Sequence, residues 1–215
     1  MGTSLRINRL HWPVTTLGYG KRIGIWFQGC SIHCPGCCSR DTWDSEAGSD
    51  ITLEALLEWV SEHPMDEIDG FTISGGEPFD QSLDLKELLT QLRLTYCQGV
   101  QRDILVYSGY PMNTLSSRHK EIIELMDVLV SEPYLRGRPI APLRGSDNQR
   151  LRHLTTLGWE RYPDNPDKNP PNNLQIHFDG TALWMIGIPK KGDLEKLQRQ
   201  LVFKGITMSN VSWMA

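Results

Sequence analysis

Four short apolar runs separated by helical patterns constrain this chain more than any other feature. They are IGIWFQ at 23–28, GFTISG at 70–75, DILVYS at 103–108 and DVLVSE at 127–132. Between them, Leu53, Leu56, Leu57 and Val60 recur at helical spacing within 52–63, and Leu85, Leu88, Leu89 and Leu92 do so within 82–96. The stretch 115–126 carries Ile122, Ile123 and Met126. Near-continuous apolar strands alternating with amphipathic helices predict an α/β fold, a mostly parallel sheet covered by helices. In such sheets the chemistry collects on loops at the carboxyl ends of strands.

The pattern changes after residue 160. RYPDNPDKNPPNN at 161–173 holds four prolines and no apolar period, which predicts a linker or loop. LQIHF, then Asp179-Gly180, then TALWMIGI is a hairpin signal. A helix from about Asp193 to Lys204 follows, with Leu194, Leu197 and Leu201 on one face. The expected organisation is a core at 1–160, the proline-rich segment at 161–173, and a β-hairpin and helix at 174–215.

A net charge of −4 and a pI near 5.9 give no global field favouring nucleic acid or an anionic membrane. No apolar run approaches the roughly 20 residues of a membrane span, and MGTSLRINRL lacks the pattern of a secretory signal. Four of the five cysteines, Cys30, Cys34, Cys37 and Cys38, lie in GCSIHCPGCC at 29–38, leaving Cys97 apart. An odd, bunched set argues against an extracellular disulfide framework and for a reducing cytoplasm.

The spacing is Cys30-x3-Cys34-x2-Cys37 with Cys38 adjacent. Zinc normally takes two short-spaced pairs, and no second CxxC exists in the chain. His33 could complete a Cys3His set only by straining between two ligands of the same loop. Three thiolates on one short loop suit three irons of a [4Fe–4S] cube, with a fourth iron open to a substrate. A thiol loop without metal is the third reading. Three further motifs sit on loops. Ser74-Gly75-Gly76-Glu77-Pro78 and Ser108-Gly109-Tyr110 follow the second and third strands and also read as plain turns. In Arg144-Gly145-Ser146-Asp147-Asn148-Gln149, Ser146 and Gln149 fit a capping box opening a helix through Leu151 and Leu154. Its amino end, with Arg144 beside it, suits an anion.

CxxxCxxC after an apolar strand resembles the signature of the radical S-adenosylmethionine enzymes. GYGKRIGIWFQGCSIHCPGCCSRDTWD is similar to the opening of the activating enzymes of anaerobic ribonucleotide reductase, through Gly20, Arg22, Gly29, Cys30, the CPGC at 34–37 and Thr42-Trp43. The resemblance, over about 11–155, implies that Cys30, Cys34 and Cys37 bind a [4Fe–4S] cluster and that Cys38 is spare. It implies that Gly75, Gly76 and Glu77 meet the S-adenosylmethionine amino group, that Ser108 meets the ribose, and that the segment with Arg144, Ser146 and Asn148 binds the cofactor toward its carboxylate, with the contact of each residue left open. The fold it implies is a partial, open (β/α) barrel. The partners it implies are a glycyl-radical enzyme, the anaerobic reductase, and an electron donor such as flavodoxin or ferredoxin. Other targets for the same chemistry are a peptide, nucleotide or small molecule, and a non-enzymatic iron–sulfur or zinc module is the third possibility. One departure stands out: the family's VDGPF or VDGKF is Val130-Ser131-Glu132-Pro133-Tyr134 here.

Overall fold

Strand pairing turns the four apolar runs into the centre of a larger sheet. The computed structural model describes residues 3–164 and 173–207. Its main strands are β1 (Ser4–Val14), β2 (Arg22–Phe27), β3 (Ser49–Thr52), β4 (Gly70–Gly75), β5 (Asp103–Tyr107), β6 (Val128–Ser131) and β7 (Arg150–His153). They lie in the order β3-β1-β2-β4-β5-β6-β7. The four central strands are parallel, with Arg22 opposite Gly70 and Gly70 opposite Asp103. The outer strands β1, β3 and β7 pair antiparallel to their neighbours. The fold is therefore α/β with a mostly parallel, open sheet.

Side chains alternate across the sheet with the period of two that strands impose. Ile23, Ile25, Phe27, Phe71, Ile73, Ile104, Val106 and Leu129 face one side and form the main core. They meet Leu56 and Val60 of α1 (Leu53–Ser61) and Leu85, Leu88, Leu89 and Leu92 of α2 (Ser82–Leu92). The helix expected at 115–126 starts earlier and breaks at His119, giving α3 (Met112–Arg118) and α4 (Lys120–Ile123). Leu105, Val128 and Val130 face the other side, with Tyr162 just beyond α5 (Thr156–Arg161). Both faces being covered explains why the strands read as continuous apolar runs.

The second face also receives the carboxyl-terminal hairpin, β8 (Leu174–Phe178) paired with β9 (Leu183–Gly187), and helix α6 (Asp193–Phe203) follows. Ile186 joins Val14 and Leu17 in a small core flanked by Trp26, Tyr107 and Trp184. The expected proline-rich segment falls largely on residues 165–172, outside the described residues. Arg161 and Tyr162, at its start, are anchored to Asp103. Among the described residues no helix is long and apolar enough to cross a membrane.

The amino ends of the central strands are fastened by one buried ionic group. Arg22 spends all five guanidinium N–H donors there. Nε donates to Thr72 Oγ1 at 2.6 Å, Nη1 to Tyr19 O at 2.9 Å and Asp103 Oδ1 at 3.0 Å, and Nη2 to Phe71 O and Asp103 Oδ2, both at 2.7 Å. Arg161 and the Tyr162 hydroxyl complete the shell around Asp103.

Candidate active site

The opposite, carboxyl ends of the parallel strands carry every motif singled out in the sequence. β2 runs out into the cysteine loop, and the loop is closed on itself. Gly29 N donates to Thr42 O at 2.8 Å and Cys30 N to Trp43 O at 3.1 Å. Buried Gln28 braces the closure, its amide donating to Asp41 O at 3.1 Å and Asp44 O at 2.7 Å. His33 takes a left-handed φ of 50° and stacks on Trp43 at 4.7 Å.

All five cysteines are free thiols. Burial raises the Cys30, Cys34 and Cys37 thiols, and N–H donors pull each back: the His33 and Ile32 amides at Cys30, the Tyr134 amide at Cys34, and the Ser39 amide and Trp43 side chain at Cys37. Such donors favour the thiolate, the form that binds iron. Among the described residues no three His, Cys, Asp or Glu side chains are grouped to hold one metal ion. A cube presents three separate irons to three thiolates, so its ligands need not converge on a point. Burial pushes the half-buried Cys38 thiol up to about 11. Cys97 packs against the helix-side core in the turn that leads into β5, at the amino end of the parallel strands. It is therefore at the wrong end of the sheet to serve as a fourth ligand.

The GGEP turn is locked to this loop by backbone contact. A Cβ on Gly75, at φ 110°, would lie 2.3 Å from Phe27 O, and one on Gly76 would lie 2.0 Å from Gly29 O. The paired glycines are thus required by the cysteine loop's own backbone. Glu77 N donates to Gly29 O at 2.8 Å. The Glu77 carboxylate turns inward and accepts from Phe79 N at 3.1 Å, Ser108 Oγ at 2.9 Å and Gly109 N at 2.7 Å. Burial raises this carboxyl to about 7, against the pull of those three donors. Glu77 and Ser108, both expected to meet cofactor, are thus bonded to each other and tie two strand-end loops together.

A second tie was not legible in the sequence. Asp80 accepts from Ser31 N at 2.7 Å, Ser31 Oγ at 3.0 Å and the Tyr110 hydroxyl at 2.7 Å. It clasps the cysteine loop to the loop after β5, and Ile32 seats on Gly109, where a Cβ would approach it to 2.7 Å. Asp80 sits inside GGEPFD, and that position is the only sequence hint of its role.

After β6, Glu132 holds a φ of 83°, where the resembled family has glycine. Side chains other than glycine are strained there. Its carboxylate is held by Met112 N at 3.2 Å and Arg152 at 3.5 Å. The following segment reaches the cysteines through the Tyr134 amide at Cys34 and through Arg136, which lies against Gly36.

The capping-box reading of 146–154 is corrected by the structure. Residues 150–153 form strand β7, because their backbone pairs with β6. The Gln149 side chain accepts from Gly145 N at 2.8 Å and Ser146 N at 3.2 Å. No helix begins here, so no helix dipole is offered to an anion, and Gln149 takes the Gly145 and Ser146 amides. Ser146 is buried and accepts from Leu135 N at 3.1 Å. Arg144 donates to two carbonyls, Pro142 O at 3.2 Å and Gln149 O at 3.4 Å. Asn148 donates to Pro133 O at 2.8 Å, while its Oδ1 is buried with no partner among the described residues.

Comparison with known proteins agrees with this geometry. Residues 16–152 match the model of the 4Fe-4S single cluster domain family. The anaerobic ribonucleoside-triphosphate reductase-activating protein of Escherichia coli is 30% identical over 151 residues, 67% of this chain and 96% of that protein. Its counterpart in Enterobacteria phage T4 is 29% identical over 144 residues, 66% of this chain and 90% of that one. The Salmonella typhimurium protein of the same name is 28% identical over 149 residues, covering 67% and 96%. The crystal structure of QueE from Escherichia coli overlaps 49% of this chain and 53% of that chain at a TM-score of 0.41 and 20% identity. A cysteine loop lashed to the carboxyl ends of parallel strands and a family match that takes in all four of those strands lead to one conclusion: this chain belongs to the 4Fe–4S single cluster domain family and is a radical S-adenosylmethionine enzyme.

Proposed function

We propose that the chain is a glycyl-radical activase, acting on a glycine of a partner anaerobic ribonucleotide reductase. The observation that carries this reading is the lashed loop. Three thiols are presented from one turn, each with N–H donors, and fixed by Glu77 and Asp80 to the neighbouring strand ends. The similarity to reductase-activating proteins supports the choice of partner.

Cys30, Cys34 and Cys37 hold the cluster, and Cys38 stays a half-buried thiol. When bound, the reduced cluster supplies the electron that splits S-adenosylmethionine into methionine and a 5′-deoxyadenosyl radical. The chain's own work is ligation, orientation and exclusion of water. Asn148 Oδ1, buried and without a partner among the described residues, is an acceptor suited to a donor group of the cofactor. Arg144, whose hydrogen bonds among the described residues go to carbonyls, has a charge suited to a carboxylate. Gly75 and Gly76 hold the floor of the site. Glu77 and Ser108 position the loops around it. Ser146, buried under Leu135 N, does the same for the 132–135 segment. Free thiols fit a reducing cytoplasm, where a flavodoxin or ferredoxin would deliver the electron.

The test is anaerobic. Reconstituted protein with reductant and S-adenosylmethionine should release 5′-deoxyadenosine, and adding the reductase from the same organism should give a glycyl-radical EPR doublet. Robust 5′-deoxyadenosine formation with no doublet would overturn the proposed target while leaving the chemistry intact.

A further inference from the structure

Resting on the activase reading, we infer that the β8–β9 hairpin and helix α6 form the docking surface for the glycine-bearing partner protein. The hairpin's outward apolar face makes the contact, and a basic rim steers it.

The hairpin is fixed rigidly to the sheet. Ile186 is buried against Val14 and Leu17, and Thr16 Oγ1 donates to Ile186 O at 3.0 Å. Gln175 accepts from Thr15 N at 3.1 Å and donates to Pro13 O at 2.7 Å. From that root the hairpin climbs toward the cysteine loop. Trp184 lies under the Arg9 guanidinium at 4.6 Å. Arg9 sits opposite Trp26 in the sheet register and 4.0 Å from Asp41 of the cysteine loop's return arm. The tip is therefore beside the radical site, on the sheet face that helices α1–α4 do not cover.

Its outward face is only partly covered: Leu174 and Ile176 share a groove with the buried Leu197 of α6, while Phe178 stays open to solvent. Inward positions Gln175, His177, Trp184 and Ile186 grip β1 and its neighbours. The alternate positions pair Ile176 with Met185 and Phe178 with Leu183. Phe178 is 62% exposed and Ile176 46% exposed. A large apolar side chain on a rigid ribbon is the kind of anchor that protein interfaces use. The charge is complementary to one class of partner. Residues 173–207 carry Lys190, Lys191, Lys196, Arg199 and Lys204 against Asp179, Asp193 and Glu195, on a chain whose overall charge is −4. The occupant is thus a folded protein with an apolar patch and an acidic rim. A substrate too large to enter the site must be gripped beside it. The family match ends at residue 152, before the hairpin begins, so this grip lies outside the matched family domain.

The experiment compares wild type, Phe178→Asp, Phe178→Leu and the double variant Lys196→Glu/Arg199→Glu. Each is assayed as cluster-loaded protein for 5′-deoxyadenosine release alone and for glycyl-radical formation on the same organism's anaerobic reductase. Expected are unchanged release alone, a KM for the reductase raised about tenfold or more in Phe178→Asp and in the double variant, and near-wild-type behaviour of Phe178→Leu. An unchanged KM in Phe178→Asp, with wild type active, overturns the inference and leaves the activase reading standing. Wild type that cleaves S-adenosylmethionine yet makes no glycyl radical overturns that reading, and this inference with it. A wild-type dimer that Phe178→Asp dissolves, with no effect on KM, assigns the face to a second copy and overturns the inference.

Discussion

Replacing Asp103 by asparagine should destabilise the fold more than any other conservative change in the sheet. Asp103 and Arg22 are both 0% exposed and bonded fork to fork, at 2.7 and 3.0 Å. Arg161 and the Tyr162 hydroxyl, the latter at 3.0 Å, point at the same carboxylate. One carboxylate therefore balances two guanidiniums. Asparagine fills the same space but leaves two buried cations unbalanced and turns N–H donors toward other donors. Removing one partner of a buried pair costs about 3–5 kcal/mol. At about 2–4 °C per kcal/mol for a chain of this size, the midpoint should fall by roughly 6–20 °C. Arg22→Met should cost less, because Asp103 keeps Arg161. Thermal unfolding followed by circular dichroism, with cluster content matched, measures both. The group lies at the amino ends of the strands, so the absorption spectrum of the folded, loaded variant should be unchanged. Burial alone would raise the Asp103 carboxyl, but the two guanidiniums outweigh it and hold it below the usual carboxylate range. Its contribution is therefore full above the unfolded pKa and is lost as pH falls through the lower folded value. A fall of less than about 3 °C in Asp103→Asn would refute the reasoning.

Two further changes probe the site. Glu77, raised to about 7 by burial, binds its proton more tightly folded than unfolded, so its contribution to stability is present at low pH and lost as pH rises from about 4.5 to about 7. At 1.36 kcal/mol per pKa unit this is about 3 kcal/mol; Glu77→Gln should flatten the stability profile across that window, and parallel wild-type and variant profiles would sink the idea. Asp80→Ala removes three accepted hydrogen bonds, two of them from Ser31 of the cysteine loop, and Tyr110→Phe removes two, to Asp80 and to Ser31 Oγ. At about 1 kcal/mol net per bond, chelator should strip the cluster roughly five-fold faster or more from Asp80→Ala and less so from Tyr110→Phe, with faster hydrogen exchange at 29–34; equal release rates in all three proteins would show that the clasp does not hold the loop.

The four central strands lie within a residue or so of the runs read from sequence, because strands covered on both faces are apolar at nearly successive positions. Three other strands were not legible. β1, SLRINRLHWPV, mixes Arg6, Asn8, Arg9 and His11 with apolar residues because one of its faces meets the hairpin and the loops. β7, Arg150–His153, is short and polar, and only pairing with β6 makes it a strand. Without that partner, Ser146 and Gln149 look like a helix start.

The sequence by itself determined the sheet's core and the three-cysteine loop, because periodicity and close spacing are local properties of a chain. Tertiary structure alone decided what those motifs touch. Glu77 meets Ser108 across 31 residues and Asp80 meets Ser31 across 49. Both contacts exist because parallel pairing carries the ends of β2, β4 and β5 to one edge of the sheet. Gly76 is glycine for the same reason: strand order presses Gly29 against it, leaving no room for a Cβ. The hairpin's place beside that edge follows from Ile186 and Gln175 finding β1 more than 160 residues away, a pairing that no local pattern encodes.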